Sequence, residues 1–134
     1  MNLFHSVWLA AYLVTLQQIL MFSVGMYRGK LGKGMGVEDN KRLERMVRRH
    51  GNLAENAGIF IVSVALLELF AGPSSATFWL CLVFAVARTL HAIGFSSKYG
   101  AYVMKSKGAR FLFLAARALG AGLSGLTGIA CGVL

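Results

Sequence analysis

The chain has 134 residues, one domain's worth, and 57% of them are hydrophobic with a mean hydropathy of +0.63. Soluble domains run nearer ~45–50% apolar, so the composition is that of an integral membrane protein. The net charge of +9 does not point to nucleic acid, because the basic residues are confined almost wholly to two short blocks.

The first apolar stretch covers residues 3–27 and contains no Asp, Glu, Lys or Arg. It lacks a basic leading region and a small-residue cleavage site, so no removable signal peptide is expected. The first basic block follows: Arg28, Lys30, Lys33, Lys41, Arg42, Arg45, Arg48 and Arg49. Its middle, GVEDNKRLERMVRRHGN, is expected to start a second helix before the hydrocarbon begins, with Asp39 or Asn40 as its cap.

That second helix is expected over about 40–70, its apolar part from Leu53. The uncharged AGPSS at 71–75 is tight enough to make a hairpin with a third helix over about 76–97. A second basic block, Lys98, Lys105, Lys107 and Arg110, leads into a fourth helix over about 110–133. Each apolar stretch approaches the ~20 residues needed to cross ~30 Å of hydrocarbon, and lipid requires them to be helices. The expected fold is all-α, an integral membrane four-helix bundle formed by one domain over 1–134.

Lys- and Arg-rich short loops mark the cytoplasmic side of a bilayer and suit anionic headgroups. Both basic loops, 28–50 and 96–110, are therefore expected on that side, with both termini opposite. Cys81 and Cys131 lie within apolar runs and read as small buried hydrophobes. On the fourth helix Gly120, Ser124, Gly128 and Gly132 recur every fourth residue, a face that packs closely either within one subunit or between copies.

The stretch RRHGNLAENAGIF at 48–60 is polar just where its helix should enter lipid. Arg48, Asn52, Glu55 and Asn56 follow i, i+4, i+7 and i+8, which is one helix face. Arg88 on the third helix and Arg117 on the fourth come to a depth of roughly 10 Å from the basic-loop side, with His91 shallower. Arg110 stands at the mouth, one face with Arg117. In the opposite half only Glu68 stands out, read as interfacial. Ionisable groups at depth face a bundle interior or a wet cavity. One carboxylate, Glu55, could pair with Arg88 or Arg117, but the cations outnumber it, and that excess invites an anionic ligand. No metal-ligand spacing is present.

These residues carry a resemblance to the MAPEG family (membrane-associated proteins in eicosanoid and glutathione metabolism). The family's second-helix signature, R-x-H/Q-x-N-x-x-E-N/Y, is matched by Arg48, His50, Asn52, Glu55 and Asn56. Its third-helix signature, A-R-x-x-H-x-x-x-Y/F, is matched by Ala87, Arg88, His91 and Phe95.

The resemblance implies a homotrimer that binds glutathione between subunits near the cytoplasmic face and couples it to lipophilic small molecules or reduces lipid hydroperoxides. It makes Arg48, Asn52, Glu55 and Asn56 glutathione contacts, with His50, Arg88 and His91 in support and Arg28 at the mouth. The family's thiolate-stabilising arginine falls on Arg110, with Arg117 as the alternative. Asn56 with His50 leans towards the microsomal glutathione transferase branch. Phe95 stands where many members have tyrosine, with Tyr99 and Tyr102 as substitutes, and Phe111 where prostaglandin E synthases carry serine. Two other readings are a lipid-binding scaffold without chemistry and a small multidrug transporter using Glu55. The transporter reading is disfavoured, since such proteins carry an acidic residue in the first helix and this one has only Gln17 and Gln18.

Overall fold

The computed structural model describes residues 4–37, 39–98 and 108–134, except for the side chains of 108–110. Among these residues there are four helices: α1 (His5–Leu31), α2 (Lys41–Ala71), α3 (Ser75–Ser96) and α4 (Gly108–Val133). All four contain a segment long and apolar enough to cross a membrane, as the run lengths predict. The chain is a multi-pass, all-α membrane bundle.

The helix boundaries have local causes. α1 runs four residues past its expected end and stops at Gly32, whose φ of 66° is left-handed. There the Lys33 amide reaches back to the Arg28 carbonyl at 3.1 Å, closing the six-residue loop of a Schellman motif. Asn40, one of the two expected caps, starts α2 by accepting the Leu43 amide at 3.0 Å. α2 ends at Gly72, with φ of 81°, and Pro73 follows. Ser74 and Thr77 then exchange side-chain and backbone hydrogen bonds in a capping box that opens α3.

At 31 residues, α2 is about 46 Å long. It therefore outruns ~30 Å of hydrocarbon and carries its basic first turns beyond it.

α1 has no side-chain cap of its own. Glu68, from the last turn of α2, supplies it: its carboxylate accepts the His5 amide at 2.8 Å and the Ser6 amide at 3.0 Å. The Ser6 hydroxyl donates at 2.5 Å, and His5 Nδ1 lies 3.0 Å away. Glu68, read from the sequence as interfacial, lies in the last turn of α2 and is packed within the protein, with a residue exposure of only 2%. A helix N-terminus offers unsatisfied amides and positive potential, which is why a carboxylate is retained there. Thr77 completes the cluster through His5 Nδ1 at 3.0 Å, so the half away from the basic loops has a polar centre of its own.

α3 is the central helix and touches the other three. α1 packs on one side of it with α2, while α4 lies mainly along its other side and meets α2 at few points. Among the described residues α1 and α4 do not meet. The core joins Leu9 and Leu13 of α1, Leu53, Phe60 and Val64 of α2, and Cys81 and Phe84 of α3. The Phe60 and Phe84 rings stack at 3.8 Å. Large apolar side chains such as Ile59, Phe70, Leu126 and Ile129 face outward, as a lipid-facing surface allows.

The small-residue face of α4 divides in two. A Cβ at Gly120 would lie 2.6 Å from the Ala87 carbonyl and the His91 amide, so this end packs on α3 within the chain. Gly128 and Gly132 have open space there instead. Gly94 on α3 provides the other close approach, 2.6 Å from the Arg117 Cβ. The sparse α2–α4 contact leaves a cleft, and the cleft contains the candidate site.

Candidate functional site

Near the basic-loop end of the cleft lies a cavity of about 400 Å³. α2 contributes Glu44, Arg45, Arg48 and Asn52. α3 contributes His91 and Phe95 from its last two turns, and α4 contributes Arg117 and Ala121. Four residues singled out in the sequence, Arg48, Asn52, His91 and Arg117, therefore share one wall-to-wall space.

Three of the lining residues, Glu44, Arg45 and Ala121, were not singled out for the site, and two of these are charged. Their signal was present: Glu44 precedes Arg48 by four residues and Arg45 precedes Asn52 by seven, the spacing of one helix face.

The lining carries three arginines and one glutamate. Such a balance favours a ligand with more negative than positive charge, and guanidinium groups suit carboxylates in particular. The Arg117 guanidinium sits over the Phe95 ring, 4.7 Å from its centroid, a cation–π contact. The His91 ring lies 5.0 Å from that of Phe95, tilted by 50°. Phe95 thus supports Arg117 by its face and needs no hydroxyl to do so.

Arg88 lies behind the cavity wall and is 4% exposed. It donates to the Asn52 carbonyl at 2.6 Å and to the Ser124 hydroxyl at 3.3 Å, while its Nε has no partner. Ser124 in turn donates to the Gly120 carbonyl at 2.7 Å. One buried cation thereby ties α2 to α4 at the depth of the cavity. The side-chain amides of Asn52 and Asn56 each donate back along α2, to the Arg48 and Asn52 carbonyls at 2.9 Å.

The remaining sequence candidates lie elsewhere. Asn56 lines a second, smaller cavity further along the cleft. Glu55 is exposed and, among the described residues, forms no salt bridge within 4 Å with Arg88 or Arg117, although its charge acts on Arg88 at longer range. His50 faces α1, where its Nε2 is 2.7 Å from the Gln17 amide nitrogen. Arg28 donates to the Gly34 and Gly36 carbonyls at 3.3 and 2.9 Å, bracing its own loop. Arg110 falls in the first turn of α4, but its side chain lies outside the described residues, as do Tyr99 and Tyr102. Arg117 is nine residues into α4, about 14 Å from its start.

Among the described residues no cluster of His, Cys, Asp and Glu could hold a metal ion. No curated protein and no solved structure matches the chain. The sequence model of the MAPEG family matches residues 6–128. That match reaches into all four helices and takes in every residue that lines the cavity, and the chain belongs to the MAPEG family.

Proposed function

We propose that this protein is a membrane glutathione transferase with accompanying peroxidase activity, on the microsomal glutathione transferase side of its family. The observation that carries the reading is the charge of the cleft cavity: Arg45, Arg48 and Arg117 with Glu44 around about 400 Å³. Glutathione has two carboxylates for the arginines and one ammonium for a glutamate. It also brings the nucleophile, so the chain needs no reactive cysteine of its own.

A free thiol has a pKa near ~8.5, and a neighbouring guanidinium favours its thiolate. Arg117 has the position for that role among the described side chains, and Arg110 is the alternative at the start of the same helix. The thiolate attacks an electrophilic carbon and displaces its leaving group with the bonding pair. With a hydroperoxide it attacks the distal oxygen; the alkoxide takes a proton and leaves as alcohol. A second glutathione then converts the sulfenic acid to the disulfide and water.

In this reading the basic loops face the cytoplasm, where glutathione is supplied, and a homotrimer completes the site. The lipophilic substrate arrives from the bilayer.

The test is conjugation of glutathione to an aromatic electrophile by detergent-solubilised protein, comparing wild type with Arg117→Ala and Arg110→Ala. Loss in one variant only names the thiolate stabiliser. A wild type that neither turns over nor binds glutathione calorimetrically would sink the proposal and favour a lipid-binding role.

A further inference from the structure

At the end of the bundle away from the basic loops, the paired His5 and Glu68 adjoin an open cavity of about 500 Å³. His5 lines it together with Pro73 and Ser74, between α2 and α3, and Ser75, Phe78 and Trp79 of α3. Hydrogen bonds fix the tautomer of the histidine. Its Nδ1 lies 3.0 Å from both Glu68 Oε1 and Thr77 Oγ1. The Glu68 carboxylate only accepts. The Thr77 hydroxyl already donates to the Ser74 carbonyl at 2.9 Å and accepts the Ser74 amide at 2.9 Å. Nδ1 therefore meets two acceptors and carries the hydrogen. In the neutral ring Nε2 is then a bare acceptor, and among the described residues nothing bonds to it.

We infer that this cavity binds a phospholipid headgroup whose ammonium retains an N–H, ethanolamine being the simplest, with that N–H donated to His5 Nε2. The site is independent of the transferase reading and lies at the opposite end of the bundle from the cation-lined cavity.

Three observations select the ligand. The first is charge. Residues 4–27 and 118–134 contain no Asp, Glu, Lys or Arg, and Glu68 is the only one in 56–87. No side-chain cation stands at this end to hold a net anionic headgroup, whereas the Glu68 carboxylate behind the imidazole favours an ammonium in front of it. The second is the aromatic lining. Phe78 and Trp79 border the cavity, and ring faces attract cations. The third is position. α1 and α3 both begin here, at the level where spanning helices meet headgroups, and Phe4, Phe70 and Trp79 are exposed at this end to flank the acyl chains. Tryptophan in particular belongs to that level of a bilayer. A choline headgroup has no N–H to donate, so it keeps the attraction of the rings and loses the bond to His5.

The test is pairwise competition between short-chain phospholipids of one acyl length, read by native mass spectrometry on the full chain in detergent. It is run at about pH 8, above the ordinary imidazole range. The headgroups are ethanolamine, its monomethyl and dimethyl derivatives, and choline. The first three keep an ammonium N–H and are expected to bind about tenfold better than choline, the worth of one charged hydrogen bond. His5→Asn keeps a donor for Glu68 near the Nδ1 position and removes Nε2, and it should bring all four lipids to one level. Trp79→Leu, at a residue 59% exposed, should weaken all four and keep the drop at choline; it locates the site even if His5→Asn does not fold.

A wild type that holds ethanolamine and choline lipids equally overturns the inference. So does a preference that persists in His5→Asn, or binding that Trp79→Leu leaves unchanged. Stronger binding of phosphatidylglycerol, lost in His5→Asn, would make the cavity an anion site and overturn it too. Glycerophosphoethanolamine, the headgroup without its chains, binding as tightly as the lipid would overturn the assignment to a bilayer lipid.

Discussion

The guanidinium of Arg88 and the backbone carbonyl of Asn52 are joined by a 2.6 Å hydrogen bond between two different helices. The acceptor is a main-chain atom, so what Arg88 holds is the path of α2 at the cavity, whatever the Asn52 side chain does. The same side chain reaches Ser124 on α4 and leaves its Nε unsatisfied. A buried polar group without a partner costs about 1–3 kcal/mol, and taking a charge out of water costs several kcal/mol more, so an apolar side chain of like volume removes two costs along with the hydrogen bonds.

Arg88→Met is therefore expected to keep or slightly raise the thermal midpoint in detergent while conjugation falls about tenfold or more, because the cleft walls are no longer fixed. Arg88→Lys should recover part of the activity. A variant that loses stability and activity in parallel would make Arg88 a simple structural tie.

The contacts of Gly94 and Gly120 make a graded prediction. A Cβ at either position lies 2.6 Å from an atom of the facing helix, with backbone at 2.7 Å for Gly94 and at 2.6 Å for Gly120. Overpacking of this kind costs about 1–3 kcal/mol. Gly94→Ala and Gly120→Ala should each lower the unfolding midpoint, and Gly94→Ala should also move Arg117 and weaken glutathione binding. Gly128→Ala meets nothing and gains helix propensity of up to about 1 kcal/mol. An equal effect of all three would mean that α3 and α4 do not pack at this distance.

The helices were legible in the sequence because lipid leaves the backbone few choices and the caps lie on standard residues. The polar side of the site was legible for the same reason: Arg48, Asn52, His91 and Arg117 stand out against apolar surroundings. Helical periodicity did not resolve which residues of one face share a cavity. Arg48 and Asn56 are eight apart and nominally aligned, yet Asn56 opens into the second cavity, since a 31-residue helix passes more than one neighbour along its length. The capping role of Glu68 was not legible because its partners, the amides of His5 and Ser6, belong to the backbone of another helix, far away in sequence. A hydropathy pattern does not register them.

The Glu68 cap should be separable from the site. Its carboxylate satisfies two amides and one hydroxyl at the start of α1. Losing a helix cap costs about 0.5–2 kcal/mol, and stranding buried donors adds to that. Glu68→Ala is expected to lower the unfolding midpoint clearly, and Glu68→Gln, which keeps one acceptor oxygen, by less. Both should leave the KM for glutathione unchanged, as Glu68 is at the opposite end of α2 from Arg48. A Glu68→Gln protein with altered glutathione affinity and normal stability would contradict this division.

The carboxylate that meets the glutathione ammonium can be identified by a ligand lacking it. The family resemblance makes Glu55 a glutathione contact, yet Glu55 is exposed and Glu44 lines the cavity beside Arg45 and Arg48. If the ligand lies in the cavity as one chain forms it, Glu44→Gln raises the KM for glutathione about tenfold, the ~1.4 kcal/mol of one weakened charged contact. It should leave the KM for the desamino analogue unchanged, because that ligand presents no ammonium. Glu55→Gln should then have the smaller effect on both. The reverse pattern, with glutathione sensitive to Glu55→Gln alone, would move the ammonium to the outer face of α2. A ligand bound there needs a second wall, which only another copy of the chain or the bilayer can supply. The same variants assayed in cross-linked oligomers would distinguish these two.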